Sequence, residues 1–228
     1  MGRPRRVTAG GVVYHVLNRA NRRARMFHKS GDYEAFLTIL GEGLKRVPCR
    51  VLALCLMPNH WHLVLWPRAD GDLSRLMGWV TNTHVKRHRQ HYEDKIGGHL
   101  YQGRFKSFPV QDDGHLLTVL RYVEANPLRC GLGERARDWQ WSSCSLRANR
   151  VFSSLLSDWP LPPPMDWENL VESRWADQEL EQIRTSVRRG NPFGHEHWAC
   201  QTAKMLGLEA TLRRAGRPRK GATEPIPA

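Results

Sequence analysis

Along the first part of the chain, a segment with the helical spacing of hydrophobic residues lies between segments with strand-like composition. The two patterns predict a helix and several strands. Residues 32–45 repeat apolar positions every three to four residues, which predicts an amphipathic helix. Segments rich in β-branched and aromatic residues predict strands at 12–18, 50–57 and 60–66. The turn signal Pro58-Asn59 lies between the last two strands, so these are predicted to form a β-hairpin.

The alternation of element types continues as far as Asn126. A second helix is predicted over 72–92, a strand over 104–110, and a third helix that begins after the N-cap residue Asp112. Pro127 ends that helix, because a residue before proline disfavours the helical conformation. The order β-α-β-β-α-β-α predicts an α+β fold, with a ferredoxin-like antiparallel sheet and crossing helices.

The residue pattern changes near residue 150, where prolines cluster and the sheet-like segments stop. The chain is therefore divided into a sheet domain, a proline-rich linker, a helical C-terminal extension and a basic tail that is expected to be disordered: 1–150, 151–165, 166–212 and 213–228. Single helices are predicted over 166–189 and 197–212. Most of the tryptophans follow residue 138; we expect them to anchor small helices to the core, with stacking on unpaired bases as the alternative.

The charge balance points to a class of ligand. The chain has 35 Lys and Arg residues against 22 Asp and Glu, a net charge of +13, and such an excess attracts nucleic acid. A soluble basic surface without a ligand is the alternative. No apolar run is long enough to cross a membrane and no signal-peptide core follows the basic N-terminus, so we expect a cytoplasmic, nucleoid-associated protein. The five cysteines include no Cys-x-x-Cys pair, which argues against disulfides or a cysteine zinc site.

A short basic repeat opens and closes the chain. Gly2-Arg3-Pro4-Arg5-Arg6 is echoed by Gly216-Arg217-Pro218-Arg219-Lys220. Proline keeps each segment extended, and an extended Arg-Pro-Arg fits a narrow A·T-rich minor groove. Solvated tails held only by phosphate attraction are an equal alternative.

A histidine pair on the third predicted strand is the strongest candidate for chemistry. Because strand side chains alternate, His60 and His62 lie on one face, about 7 Å apart along the strand, and can share a divalent ion. Two hydrogen-bonded core histidines are the alternative. A second pair, His195 and His197, lies in a polar segment near a turn, and we interpret it as incidental.

A tyrosine and an amide lie one helical turn apart on the third predicted helix. Tyr122 and Asn126 are separated by four residues, so they are predicted to project from the same face beside an apolar stripe. A tyrosine in such a place is usually part of the core or its rim. Its hydroxyl needs activation before it can act as a nucleophile.

Three motifs together resemble those of the REP-associated tyrosine transposases, which belong to the single-tyrosine HUH nucleases. They are Met57-Pro58-Asn59-His60-Trp61-His62, Arg104-Phe105-Lys106-Ser107 and Tyr122-Val123-Glu124-Ala125-Asn126-Pro127-Leu128-Arg129. The opening Tyr14-His15-Val16 with Asn18-Arg19 fits as well, and the resemblance covers about residues 7–145. Each motif is weak alone, whereas the combination is specific.

The resemblance implies a mechanism and a set of site residues. Tyr122 is implied as the catalytic nucleophile, with His60, His62 and Asn126 as ligands of Mg²⁺ or Mn²⁺. The implied reaction is metal-dependent cleavage and strand transfer of single-stranded DNA at a REP-like palindromic hairpin, through a covalent 5′-phosphotyrosine. The protein is expected to act as a monomer or a homodimer.

The remaining basic candidates are assigned to DNA binding. Arg104 and Lys106 are predicted to share a strand face and to hold flanking phosphates, with ordinary exposed strand-edge charge as the alternative. The other members of the set are Arg3, Arg5, Arg6, Arg19, Arg217 and Arg219. Two further functions stay open at this point: a DNA-binding regulator of the same fold that no longer cuts, and an RNA-binding module.

Overall fold

A four-stranded antiparallel sheet forms the centre of the molecule. The computed structural model describes residues 7–92 and 98–213. The strands are β1 (Val13–Arg19), β2 (Cys49–Met57), β3 (His60–Pro67) and β4 (Lys106–Val110), in the order β2-β3-β1-β4. All three strand pairings are antiparallel, and β2 and β3 form the predicted hairpin around Pro58-Asn59.

Helices cover both faces of the sheet. Helix α1 (Ser30–Arg46) and helix α2 (Asp72–Tyr92) pack together on one face, and helix α3 (Gly114–Glu124) packs on the other. The apolar alternation of β3 explains the two cores: Trp61 and Leu63 enter the core under α1 and α2, whereas Val64 enters the core under α3. The α+β fold with a ferredoxin-like antiparallel sheet, predicted from the element order, is confirmed, and it is the fold that the resemblance to HUH nucleases implies.

Strand β4 is shorter than predicted. It begins at Lys106, which pairs with Leu17 of β1, so Arg104 lies in the preceding bend and does not share a strand face with Lys106. The reason is a side-chain hydrogen bond that replaces the strand ladder: Asn18 Nδ2 donates to the carbonyl oxygen of Gly103 at 3.2 Å. The predicted strand over 104–110 was therefore wrong at its first two residues.

Helix α3 differs from the prediction at both ends. Its N-cap is Asp113, whose side chain accepts from the backbone N–H of His115, and its last residue is Glu124. Residues Asn126–Arg129 form a separate short helix, α4, with Pro127 in its first turn. Proline has no N–H to continue the ladder, and the Asn126 side chain donates to the Val123 carbonyl in its place.

Small helices complete the chain after Pro127. They are α5 (Ser143–Asn149), α6 (Trp167–Glu172), α7 (Asp177–Arg189), α8 (Glu196–Leu206) and α9 (Glu209–Leu212). The single helix predicted over 166–189 was wrong, because the Arg121 guanidinium binds the carbonyl oxygens of Leu170, Ser173 and Arg174 at the break between α6 and α7. The helix predicted over 197–212 is likewise divided, at the left-handed C-cap Gly207.

Residues after 150 contact the outer edge of the sheet. The backbone N–H of Ser157 donates to the Val51 carbonyl at 2.8 Å, and the Trp159 indole donates to the Leu52 carbonyl at 2.8 Å. The expected anchoring role of the tryptophans is confirmed here, and again at Trp139, whose indole donates to the Leu56 carbonyl. The division into domain, linker and extension stays a prediction. Within the described residues, no helix is both long enough and apolar enough to cross a membrane.

Candidate active site

Three imidazoles and one phenol meet on the face of the sheet that α3 covers. His62 on β3 and His15 on β1 share a buried hydrogen bond of 2.9 Å between His62 Nδ1 and His15 Nε2. The Tyr122 ring lies edge-on to both imidazoles, with ring centroids 6.0 Å from His62 and 6.1 Å from His15. The His60 ring lies 5.1 Å from that of His62. Residues from β1, β3 and α3 therefore surround one small volume.

The hairpin turn holds the ring of His60. Nδ1 of His60 lies 2.6 Å from the side-chain oxygen of Asn59, while the Asn59 amide nitrogen donates to the Arg23 carbonyl at 3.2 Å. Because the Asn59 oxygen only accepts, His60 Nδ1 is the donor, and the lone pair of His60 lies on Nε2. The imidazole therefore presents the nitrogen that a cation would use.

Burial keeps these imidazoles neutral. Burial, with a smaller contribution from the charge of Arg19, lowers the pKa of His60 to about 4. Burial also holds the pKa of His62 well below its ordinary value, with the neighbouring His15 and His60 adding to the effect. The pKa of His15 is lowered to about 3 by burial. A neutral imidazole has a lone pair available for a metal ion, whereas an imidazolium has none.

Tyr122 lies in the last turn of α3 beneath a half-buried arginine, Arg129. The guanidinium carbon of Arg129 is 4.2 Å from the centre of the Tyr122 ring, a cation–π arrangement. Nη2 of Arg129 donates to the Tyr122 carbonyl oxygen at 3.0 Å and to the Asn126 side-chain oxygen at 2.8 Å. Burial lowers the pKa of Arg129. One side chain thus fixes the backbone and covers the ring of the tyrosine.

Asn126 has a different setting from the one predicted for it. It belongs to α4, after the helix break, and its amide nitrogen donates to the Tyr122 and Val123 carbonyl oxygens at 3.1 and 3.3 Å. Its oxygen accepts from Arg129, which occupies one of its two lone pairs. The Nε2 atoms of His60 and His62 and one remaining lone pair on this oxygen are the positions left for a cation.

The predicted DNA-binding residues are dispersed. Arg19 ends β1 opposite His60, at the histidine end of the sheet. Arg104 and Lys106 are exposed on the bend and at the start of β4. The arginines of the two basic repeats lie outside the described residues: Arg3, Arg5, Arg6, Arg217 and Arg219.

Sequence reasoning missed two residues of the site. His15 entered only as part of an opening motif, although its position between Val13 and Leu17 on a predicted strand gives it the same face as these two residues. Arg129 follows Asn126 by three residues and was quoted in the third motif without a role. Its place over Tyr122 depends on the short helix α4 that follows the break, which the sequence pattern did not predict.

The C-terminal extension also reaches the tyrosine. The Trp175 ring lies edge-on to Tyr122 with centroids 6.3 Å apart, and the Arg121 guanidinium is 4.0 Å from the centre of the Trp175 ring. Trp175 belongs to the segment between α6 and α7 whose carbonyl oxygens Arg121 binds. The extension therefore forms one wall beside the site.

Comparison with known proteins identifies the family. Residues 8–126 match the family described as "Transposase IS200 like", which is more than half of the 228 residues. The chain belongs to this family. The matched region holds His60, His62 and Tyr122, and its last residue is Asn126. Transposases process DNA, so this family member is a DNA-processing protein.

Two individual proteins support the narrower resemblance stated from the sequence. The chain is 25% identical over 124 residues to a Haemophilus influenzae protein that carries the name REP-associated tyrosine transposase; the alignment covers 49% of this chain and 69% of the relative. A solved REP-associated tyrosine transposase bound to a REP hairpin superposes with a TM-score of 0.52 and 20% identity, over 78% of this chain and all of that one. The resemblance to REP-associated tyrosine transposases is confirmed, and the second match establishes the shared fold.

Proposed function

We propose that this IS200-like transposase is a metal-dependent endonuclease and strand transferase for single-stranded DNA, with Tyr122 as its nucleophile. The observation that carries the proposal is the convergence of His60, His62 and Tyr122 on one sheet face, with the tyrosine ring 6.0 Å from His62. A phenol beside two neutral imidazoles combines a nucleophile with a cation-binding pair. No structural role requires these three residue types together.

Tyr122 acts as the nucleophile in the proposed reaction. Its oxygen forms a bond to the scissile phosphorus, and the bond from phosphorus to the 3′ oxygen breaks. The phenol gives up its proton and the leaving 3′ oxygen takes one up, so the products are a 5′-phosphotyrosine and a free 3′-hydroxyl. A 3′-hydroxyl can reverse the step, because the phosphotyrosine ester conserves the free energy of the broken phosphodiester bond. The reversal accounts for strand transfer without a nucleotide cofactor.

The side chains present suit a hard divalent cation held by few protein ligands. His60 Nε2 and His62 Nε2 are the ring nitrogens left after the bonds to Asn59 and His15, and Asn126 offers a carboxamide oxygen. Mg²⁺ or Mn²⁺ bound by these groups would polarise the scissile phosphate and offset the charge that grows on it. His15 holds the ring of His62, and Asn59 holds the ring of His60.

Arg129 prepares the nucleophile. Its guanidinium stacks on the Tyr122 ring and binds the Tyr122 carbonyl, so the phenol is held before DNA arrives. The cation above the ring also favours negative charge on the phenol oxygen as the phosphorus is attacked. We assign Arg129 as a positioning residue for this reason.

The DNA proposed as substrate is a hairpin with a single-stranded flank. The related transposase of known structure is bound to a REP hairpin, and the net charge of +13 suits a polyanion. Tyr122 is only 8% exposed between sheet and helix, so a flexible single strand reaches it more readily than a duplex does. Arg19 lies beside His60 and is proposed to hold a flanking phosphate, as are the exposed Arg104 and Lys106.

A covalent-adduct assay tests the proposal. The full chain is incubated with an end-labelled DNA hairpin that carries single-stranded flanks, with Mg²⁺ or Mn²⁺, and the products are separated on a denaturing gel. We expect a shifted, protease-sensitive adduct that Tyr122→Phe abolishes and the matched control Tyr92→Phe retains, because Tyr92 lies at the far end of α2 on the opposite side of the sheet. Hairpin binding by Tyr122→Phe is expected to stay near that of the unsubstituted chain.

Three results would contradict the proposal. Hairpin binding without an adduct in either metal would make the protein a non-cleaving regulator. Preferential binding of an RNA hairpin of matched sequence would make it an RNA-binding module. An adduct that survives Tyr122→Phe would assign the nucleophile to another residue.

A further inference from the structure

A second group of metal-ligating side chains lies at the other end of α3 from Tyr122. Asp113, His115 and His195 each offer one ligand atom, and these atoms all lie within 4.8 Å of one another. The group is separated from Tyr122 by two helical turns, about 10 Å along the helix axis. It is therefore distinct from the site formed by His60, His62 and Tyr122.

The contacts inside the group show that its members face one another. His115 Nδ1 lies 2.8 Å from one carboxylate oxygen of Asp113, and His195 Nε2 lies 3.6 Å from the other. The two imidazole rings are nearly perpendicular, with centroids 4.6 Å apart. One carboxylate thus lies between two imidazoles that come from distant parts of the chain.

Backbone pairing brings the third ligand to this place. Residue Phe193 pairs in parallel with Val110 of β4: Gln111 N–H donates to the Phe193 carbonyl, and Phe193 N–H donates to the Pro109 carbonyl, each at 2.9 Å. The His195 N–H then donates to the side-chain oxygen of Gln111 at 2.8 Å. The position of His195 over the start of α3 is therefore set by main-chain bonds rather than by its own side chain.

Gly194 permits this close approach. A Cβ atom at that position would come within 2.6 Å of the Gln111 side-chain oxygen and 2.6 Å of the Trp198 ring. Any larger residue would push the segment away from β4 and carry His195 with it. The position before His195 therefore requires glycine.

We infer that Asp113, His115 and His195 form a second metal site, selective for a first-row transition-metal ion of which Zn²⁺ is the representative. Two imidazoles and one carboxylate are ligands that suit Zn²⁺ and its neighbours in the first transition row. Zinc bonds of about 2 Å place ligand atoms roughly 3 to 3.5 Å apart, so the side chains need only small rotations from their present spacing. His195 is largely exposed, which leaves the remaining coordination positions to water.

The site fastens the C-terminal extension to the domain that carries the tyrosine. Asp113 and His115 belong to the start of α3, while His195 immediately precedes α8. A bound ion links these two segments and so stabilises the docking of the extension on β4 and α3. The inference stands independently of the proposed nuclease function.

The two members of the second histidine pair lie in different settings. His195 joins the group, whereas His197 lies on the first turn of α8 and its Nε2 is 3.3 Å from the Gln201 amide nitrogen. The two histidines are neighbours in sequence, both exposed, and differ in whether they face Asp113. His197→Ala is therefore a matched control for His195→Ala.

Calorimetric titration with Zn²⁺ tests the site. The full chain without a histidine tag, carrying His60→Gln and His62→Gln to remove the other imidazole pair, is titrated with Zn²⁺ in the presence of millimolar Mg²⁺. We expect one Zn²⁺ per chain, an affinity that His197→Ala leaves unchanged, and at least about tenfold weaker binding after His195→Ala, since one of three ligands is lost. If the double substitution prevents folding, the titration on the unsubstituted background counts sites instead, and His195→Ala removes one.

A melting experiment provides the second measurement. Zn²⁺ is expected to raise the Tm of the unsubstituted chain and of His197→Ala, and to leave that of His195→Ala unchanged. Because His195 is exposed, His195→Ala without metal should melt like the unsubstituted chain. Zinc binding that is equal in His195→Ala and His197→Ala would come from other donors, such as the exposed thiols of Cys130 and Cys200, and would overturn the inference. Absence of any Zn²⁺ binding at this site would overturn it equally.

Discussion

His15 and His62 share a hydrogen bond of 2.9 Å across two adjacent strands, in a place that solvent does not reach. Nε2 of His15 faces Nδ1 of His62, so only one of these two nitrogens carries the proton. When the proton lies on His62 Nδ1, the lone pair of His62 lies on Nε2, the nitrogen available to a cation. The bond thus fixes the ring orientation of His62, and a cation at Nε2 requires the tautomer in which His62 Nδ1 donates to His15.

Replacement of His15 is expected to lower the affinity of the active site for its metal ion. His15→Leu removes the partner of His62 Nδ1, and loss of such a supporting contact lowers metal affinity about 10- to 100-fold. The measurement is the Mn²⁺ concentration that gives half-maximal adduct with the labelled hairpin. His15→Gln, which keeps a polar partner, should recover part of the affinity. Equal Mn²⁺ dependence in His15→Leu and the unsubstituted chain would contradict the assigned role.

Replacement of Arg129 by lysine is expected to slow cleavage while leaving hairpin binding within about twofold. A lysine ammonium cannot stack on Tyr122 and also bond both the Tyr122 carbonyl and the Asn126 oxygen. Hydrogen bonds to a charged group contribute about 1.5–3 kcal/mol, so the rate of adduct formation at saturating DNA should fall about 10- to 100-fold.

Arg137→Lys is the matched control for Arg129→Lys. Arg137 is exposed and ion-paired with Glu168. Its replacement should change neither the rate of adduct formation nor the affinity for the hairpin, because exposed ion pairs contribute little to stability. A loss of hairpin affinity in Arg129→Lys that equals its loss of rate would indicate a DNA contact instead of positioning.

Glu124 is expected to be a major contributor to the stability of the region after α3. Its buried carboxylate accepts from Ser143 Oγ at 2.5 Å and from the Trp167 indole at 2.7 Å, joining α3 to α5 and α6. Glu124→Ala leaves both donors unpaired and should lower the free energy of unfolding in urea by about 3 kcal/mol. Glu124→Gln, which keeps one acceptor, should cost less than half of that. A loss below about 1 kcal/mol for Glu124→Ala would show that water satisfies these donors.

His84 is expected to make the fold acid-sensitive. The Trp61 indole donates to the Tyr101 hydroxyl at 3.1 Å, so the hydroxyl donates in turn to His84 Nδ1 at 2.6 Å, which needs a neutral imidazole. Burial lowers the pKa of His84 to about 3 from an ordinary 6.5. Between these values the unfolded chain binds the extra proton, so stability is present above pH 6.5 and falls as the pH drops.

Urea unfolding at several pH values measures this effect. Each pH unit between about 6 and 4 should cost about 1.4 kcal/mol from His84 alone. His84→Gln keeps an acceptor for Tyr101 and removes one titrating group, so the loss of unfolding free energy per pH unit should become smaller by the contribution of one proton. The substitution His91→Gln, at an exposed residue of the same helix, should leave that loss unchanged. A slope in His84→Gln equal to that of the unsubstituted chain would assign the acid sensitivity to other groups.

Prediction from the sequence was accurate wherever periodicity decided the outcome. Helix α2 begins and ends at the predicted residues, Asp72 and Tyr92, and β3 begins at His60 as expected. Two of the errors occurred where a distant side chain intervened: Arg121 binds the carbonyls at the break between α6 and α7, and Asn18 binds Gly103 ahead of β4. Such bonds join residues far apart in the chain and leave no trace in a local pattern.

The sequence by itself determined the order of strands and helices and the shared face of His60 and His62, because the strand and helix periods act between near neighbours. Only the tertiary structure decided that His15 bonds His62, that Arg129 covers Tyr122, and that His195 meets Asp113. Each of these contacts depends on strand pairing or helix packing between distant segments. The physical reason is that periodicity specifies which face a side chain occupies, whereas its partner is specified by the folded arrangement of the whole sheet.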